Sequence, residues 1–107
     1  MTVEQARAIA LEQPNAVEGS HHDHPDFRVG KSIFATLWPT QDRSVLRLPE
    51  PFALSLEAEN PDLYRIVSRS GGQGWVSVSL PCMDAAEFRL LMETAHQHLQ
   101  AGKRSKD

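Results

Sequence analysis

Residues 72–80 read Gly-Gln-Gly-Trp-Val-Ser-Val-Ser-Leu. From Trp75 onward apolar and polar side chains alternate, which is the period of a β-strand with one buried face. Val76, Val78 and Leu80 point inward; Trp75, Ser77 and Ser79 point outward. A strand that buries only one side belongs to an antiparallel sheet, because parallel sheets are covered on both faces. The three glycines at 71, 72 and 74 make residues 68–74 a flexible connection before it.

Working backward, Ser44-Val45-Leu46-Arg47-Leu48 alternates in the same way, with Leu46 and Leu48 on one face and Val45 and Arg47 on the other. Ser32-Ile33-Phe34-Ala35-Thr36-Leu37-Trp38 is β-branched and aromatic and reads as a strand. Gly30-Lys31 before it is a two-residue hairpin turn after Phe27-Arg28-Val29, with Gly30 at positive φ. Tyr64-Arg65-Ile66-Val67 is a short strand. Residues 15–25, with Asn15, Gly19 and Pro25, read as turns, and 39–43 as another turn.

Three helices complete the pattern. Thr2 and Gln5 form a capping box ahead of Ala6, Ile9, Ala10 and Gln13, and Pro14 ends that helix. Pro51 opens a second helix over 51–59, in the first turn, where its missing N–H costs nothing. Asp84 and Glu87 cap the third. Its Phe88, Leu91, Met92, Ala95 and Leu99 fall on one stripe, and Gly102 is a natural stop. The order is α-β(3)-α-β(2)-α: an α+β two-layer sandwich, five antiparallel strands with helices on one face. Residues 1–102 form one domain, and 103–107 are a loose basic tail.

The totals agree with such a domain. A chain of 107 residues with 40% apolar and 23% charged residues buries a core without disulfides or metal. Cys82 is the single cysteine. No apolar run nears the roughly 20 residues of a membrane span, and no basic-then-apolar leader opens the sequence. The expectation is therefore a cytoplasmic protein without membrane contact. The net charge is −3, but it is distributed in blocks: −4 over residues 1–26, +3 over 27–49, −4 over 50–62, +2 over 63–80 and 0 over 81–107. Both basic blocks are the sheet-forming ones.

Three stretches carry a resemblance: "HPDFRVGKSIFATL" (24–37), "SVLRLPEP" (44–51) and "GQGWVSVSL" (72–80). With "TVEQARAIALEQPNAVEGSHHDHPDF" (2–27), they resemble the MmcQ/YjbR family of small bacterial proteins. That family shows His-x-x-His-Pro-x-Phe-Arg-Val, a Gly-Lys-Ile-Phe-Ala strand and Gly-Trp-x-x-Val-x-Leu. The resemblance spans about residues 2–100. It implies the fold already read, like secretion chaperones and broadly like frataxin. It also implies a non-enzymatic DNA-binding protein, from a "double wing" use of the sheet. This chain departs at Pro49, where the family often caps its second helix with Ser or Thr, and at His22 and Asp23.

By alternation the open sheet face carries Arg28, Phe34, Thr36, Trp38, Val45, Arg47, Trp75, Ser77 and Ser79, with Arg65 beside them. Arginines interleaved with aromatics suit stacked bases and phosphates. They suit a protein partner or a homodimer equally, since Trp and Arg dominate interface hot spots. The plainest account is that Trp38 and Trp75 cover each other across neighbouring strands.

The segment 20–28, Ser-His-His-Asp-His-Pro-Asp-Phe-Arg, offers His21 and His24 as a ligand-facing or structural pair, with His22 extra. Glu18 or Asp26 could add oxygen, but a firm metal site wants three or four ligands. His96 and His98 diverge by about 200° on a helix. The expectation is no metal and no cofactor, with His24 holding the turn into Pro25. Ser20, His21 and Asp23 are chain neighbours and cannot line up as a catalytic triad. Gly71 to Gly74 precede a strand and lack the Lys-Ser/Thr of a phosphate loop. Cys82, before a helix, reads as a small loop residue.

Overall fold

The computed structural model describes residues 1–21 and 23–104, the side chains of His21 and of residues 102–104 excepted. Helix α1 (Val3–Leu11) is followed by strands β1 (Val17–His21), β2 (His24–Val29), β3 (Ser32–Trp38) and β4 (Arg43–Pro49). Then come α2 (Glu50–Glu59), β5 (Tyr64–Ser70), β6 (Gln73–Ser79) and α3 (Ala85–Arg104). The strands form one antiparallel sheet in the order β1-β2-β3-β4-β6-β5.

The caps form as their sequences dictate. Gln5 N–H donates to Thr2 Oγ1, and Thr2 N–H donates to Gln5 Oε1. Glu87 N–H donates to Asp84 Oδ2 at 3.1 Å. Ala6, Ile9 and Ala10 of α1 and the whole α3 stripe, Phe88 to Leu99, are buried in one core cluster. Its sheet side comprises Phe27, Val29, Ala35, Leu37, Leu46, Leu48, Val76, Val78 and Tyr64. Because α1, α2 and α3 share this cluster, they lie on one face, and among the described residues the other face of the sheet carries no helix. Gly74 lets α2 approach: a Cβ there would stand 2.8 Å from Ala53 Cβ.

Three expectations need correction. The sheet has six strands, because residues 17–21, read as turn, form β1 against β2. This strand contains Gly19 and an exposed Val17, so it lacks the alternation that marks a one-sided strand. Residues 68–70 and 73–74 are not a loose connection but the ends of β5 and β6, closed by Gly71 and Gly72 at positive φ. And α3 runs to Arg104, past Gly102, so the break expected there does not occur. Residues 105–107 of the expected tail, and His22, lie outside the described residues.

The register of β2 against β3 shifts between Phe27 and Arg28, which pair with Ala35 and Ile33. Phe34 is the extra residue, a β-bulge. The bulge turns Phe34 to the core beside Ala35, and both are fully buried.

Candidate binding face of the sheet

The open face is built on one row that crosses all six strands. Gly19, Asp26, Thr36, Val45, Ser77 and Arg65 are successive register partners. Five strand spacings make that row about 24 Å long. On β4 the alternation places Arg43, Val45 and Arg47 on this face, and on β6 it places Gln73, Trp75, Ser77 and Ser79.

At the β1–β2 end, Asp26 is fully buried although no helix covers it. Arg28 donates to both carboxylate oxygens, Nε to Oδ1 at 2.8 Å and Nη2 to Oδ2 at 2.9 Å. The pair lies over β1 at Gly19, where a Cβ would stand 2.8 Å from Asp26 Oδ1 and 3.1 Å from Arg28 Nε. The carboxylate raises the Arg28 guanidinium above its ordinary value, by hydrogen bonding first and by charge second. Arg28 thus sits on the expected face, but with its charge matched.

Beside it, His24 stacks on Trp38, ring centroids 3.9 Å apart and planes 29° off parallel. Arg43 lies over the Trp38 ring, its guanidinium carbon 5.3 Å from the centroid. Since β3 runs between β2 and β4, the two neighbours reach Trp38 from its flanking strands. Trp38 Nε1–H donates to Thr36 Oγ1 at 3.0 Å. His24, Trp38, Pro39, Thr40, Gln41 and Asp23 line a cleft of about 330 Å³. His21 is the register partner of His24. Among the described residues no three His, Cys, Asp or Glu gather as a metal site.

The two tryptophans do not cover each other. Trp38 pairs with Arg43, and Trp75 with Arg47, four residues further along β4 and on its other side. That places them about 13 Å apart along the strand direction. Trp75 is half-buried next to Arg47, whose Nε donates to Gln73 Oε1. Burial lowers the Arg47 guanidinium from its ordinary value.

Arg65 is exposed opposite Ser77. Arg43 donates from Nη1 to Ser77 Oγ at 3.2 Å, and its buried Nε–H has no acceptor. Among the described residues, Arg43, Arg47 and Arg65 form no ion pair, whereas Arg7, Arg28, Arg69 and Arg89 each do. The face therefore presents three uncompensated guanidiniums and two indoles.

Of the residues expected on this face, Arg28, Trp38, Arg47, Arg65 and Trp75 are there. Phe34 is not. It lies in the core with its ring edge-on to His96 at 5.7 Å, because the bulge breaks the alternation that would have turned it outward. Arg43 was missed by ending the turn at residue 43. Stepping two residues back from Val45 would have found it. The burial of Asp26 had no signal in the sequence, since it depends on Gly19 from another strand.

A larger cleft, about 460 Å³, lies between α1 and α3, lined by Glu12, Gln13, Glu93, His96, Gln97 and Gln100 among others. There His96 Nε2 bonds Pro14 O at 2.8 Å, and Arg89 pairs with Glu12, so these groups tie the two helices together.

A two-layer α+β domain with one bare, arginine-bearing sheet face defines the class. The family follows from comparison. A family model described as YjbR matches residues 11–98, and the chain belongs to that family. A crystal structure of Deinococcus radiodurans protein DR2400, described as domain DUF419, superposes with a TM-score of 0.76 at 23% identity, over 89% of this chain and 75% of that one. That likeness is one of fold. No curated protein matches the chain. No helix among the described residues is long and apolar enough to cross a membrane.

Proposed function

We propose that this chain is a non-enzymatic binding module whose open sheet face takes DNA as an unpaired strand. The observation that carries the reading is the trio Arg43, Arg47 and Arg65. Three guanidiniums without acidic partners among the described residues share a face with Trp38 and Trp75, in a protein of net charge −3. A broad sheet does not fit a duplex groove, which admits a helix or a two-stranded ribbon. It does suit splayed bases, which stack on aromatic rings while arginines track the backbone. The Ser77 hydroxyl is engaged by Arg43 rather than by an imidazole, which favours binding over nucleophilic chemistry.

The test is fluorescence anisotropy with a labelled oligothymidine strand between about 50 and 200 mM salt. Three phosphates neutralised on a single strand give a log–log salt slope near −2, by about 0.7 per contact. The double variant Arg47→Ala, Arg65→Ala should flatten that slope and weaken binding. An oligonucleotide that fails to bind even at low salt sinks the proposal. A concentration-dependent dimer that Trp38→Ala dissolves would move the face to self-association.

A further inference from the structure

The same face contains a second cleft, beside the one at His24 and Trp38. Arg43, Arg65, Ser77, Ser79, Gln41 and Asp62 line a cleft of about 300 Å³, together with Pro61 and Leu63. We infer that this cleft is an oxyanion site that takes a phosphate group between Arg43 and Arg65. The inference rests on the proposed function only for the source of the phosphate.

The register converges the donors. Ser77 is the partner of Arg65 on β5, and Ser79 the partner of Arg43 on β4. Two guanidiniums thus flank two hydroxyls on adjacent strands. Ser77 Oγ accepts from Arg43 Nη1, which leaves its own O–H free to donate outward. Guanidinium forks match the geometry of phosphate oxygens, and charge-assisted bonds of this kind are the strong ones. Arg43 is held in place, by Trp38 under its guanidinium and by Ser77, so less freedom is lost when an anion docks.

Asp62 lines the cleft yet forms no ion pair with either arginine among the described residues. The cleft therefore keeps its positive character. Asp62 supplies an acceptor for a hydroxyl or amine adjoining the phosphate. The ligand class is a phosphate ester, either a small phosphorylated molecule or the backbone of a nucleic acid.

The experiment is a chemical-shift titration of nitrogen-15-labelled protein with inorganic phosphate, chloride serving as the control for ionic strength. A second titration uses an oligothymidine strand without terminal phosphates. Phosphate should move the amides of Arg43, Arg65, Ser77 and Ser79 with a Kd of order 1 mM, as befits one small anion. Arg65→Ala, which removes an exposed side chain, should weaken this about tenfold or more. Arg43→Lys should weaken it too, by removing the fork while keeping the charge. Lys31→Ala, in the exposed turn between β2 and β3 and outside the cleft, should leave it unchanged.

If phosphate binds and displaces the oligonucleotide, the site is a backbone subsite of the proposed nucleic-acid face. If phosphate binds and the oligonucleotide does not, the oxyanion site stands and the DNA reading falls. If phosphate shifts no more than chloride does, the oxyanion site is overturned, even where the oligonucleotide binds.

Discussion

Asp26 and Arg28, two residues apart on β2, close a two-bond ion pair flat against the backbone of Gly19 on the neighbouring strand. The carboxylate is fully buried on the side of the sheet that no helix covers. A buried charge is tolerated only when it is paired and hydrogen-bonded. Here the pairing depends on a strand that brings no side chain at the contact.

Gly19→Ala should therefore destabilise the fold by about 1–3 kcal/mol, the range for a methyl forced into filled space. The added Cβ meets Asp26 Oδ1 at 2.8 Å, and the carboxylate cannot retreat without losing Arg28. Urea denaturation monitored by circular dichroism would measure it. A variant as stable as the parent would show that β1 gives way instead.

Phe34→Ala should cost about 3–5 kcal/mol in the same assay, as a buried phenylalanine does. Its effect on ligand affinity, once corrected for the unfolded fraction, should be nil. The ring is fully buried among core residues behind the sheet, not on the open face. A folded, stable Phe34→Ala protein that had lost binding would contradict the bulge.

Trp75→Ala should behave the opposite way. The side chain is half-buried next to Arg47, so its loss should cost about 1 kcal/mol of stability. Binding of an unpaired strand should weaken about tenfold, one stacked base accounting for about 1–3 kcal/mol. Anisotropy titrations of the variant and parent at one salt concentration give the comparison.

Two groups make the stability depend on pH. Burial, and then the Arg47 charge, hold the His98 ring below the ordinary imidazole range. The unfolded chain takes up that proton near pH 6.5, and the native state resists it. Stability should thus fall as the pH drops below about 6.5, and His98→Gln should flatten this limb. On the alkaline side, burial and then the bond from Tyr64 Oη–H to Glu87, 2.7 Å, push the phenol well above its ordinary range. Its contribution is present below about pH 10 and is lost as the unfolded phenol ionises above that. Tyr64→Phe should lose stability at neutral pH and show a shallower alkaline decline. Denaturant midpoints across the pH range would check both slopes.

The sheet and helices were largely legible locally. The caps at Thr2 and Asp84, the α3 stripe and the alternation in β4 and β6 are each set by neighbours a few residues apart, and all form as read. Strand β1 was not legible. Its five residues, Val-Glu-Gly-Ser-His, have no strong strand preference, and β2 imposes the extended form on them. Phe34 failed for a related reason. Alternation assumes an unbroken register, and a single extra residue in the pairing with β2 reverses the direction of a side chain.

The candidate site divides along the same line. That Arg28, Arg47, Arg65, Trp38 and Trp75 share a face follows from the two-residue period of each strand, which is a local property. Which of these charges remain available is a matter of pairing across strands. The sequence alone determined the α+β class, the family motifs and the bare sheet face, because each rests on short-range periodicity. Only the tertiary structure decided that Asp26 neutralises Arg28, that His24 rather than Trp75 covers Trp38, and that Arg43 joins Arg65 around Ser77. Those contacts depend on strand order and register, which bring together residues up to 34 positions apart in the chain.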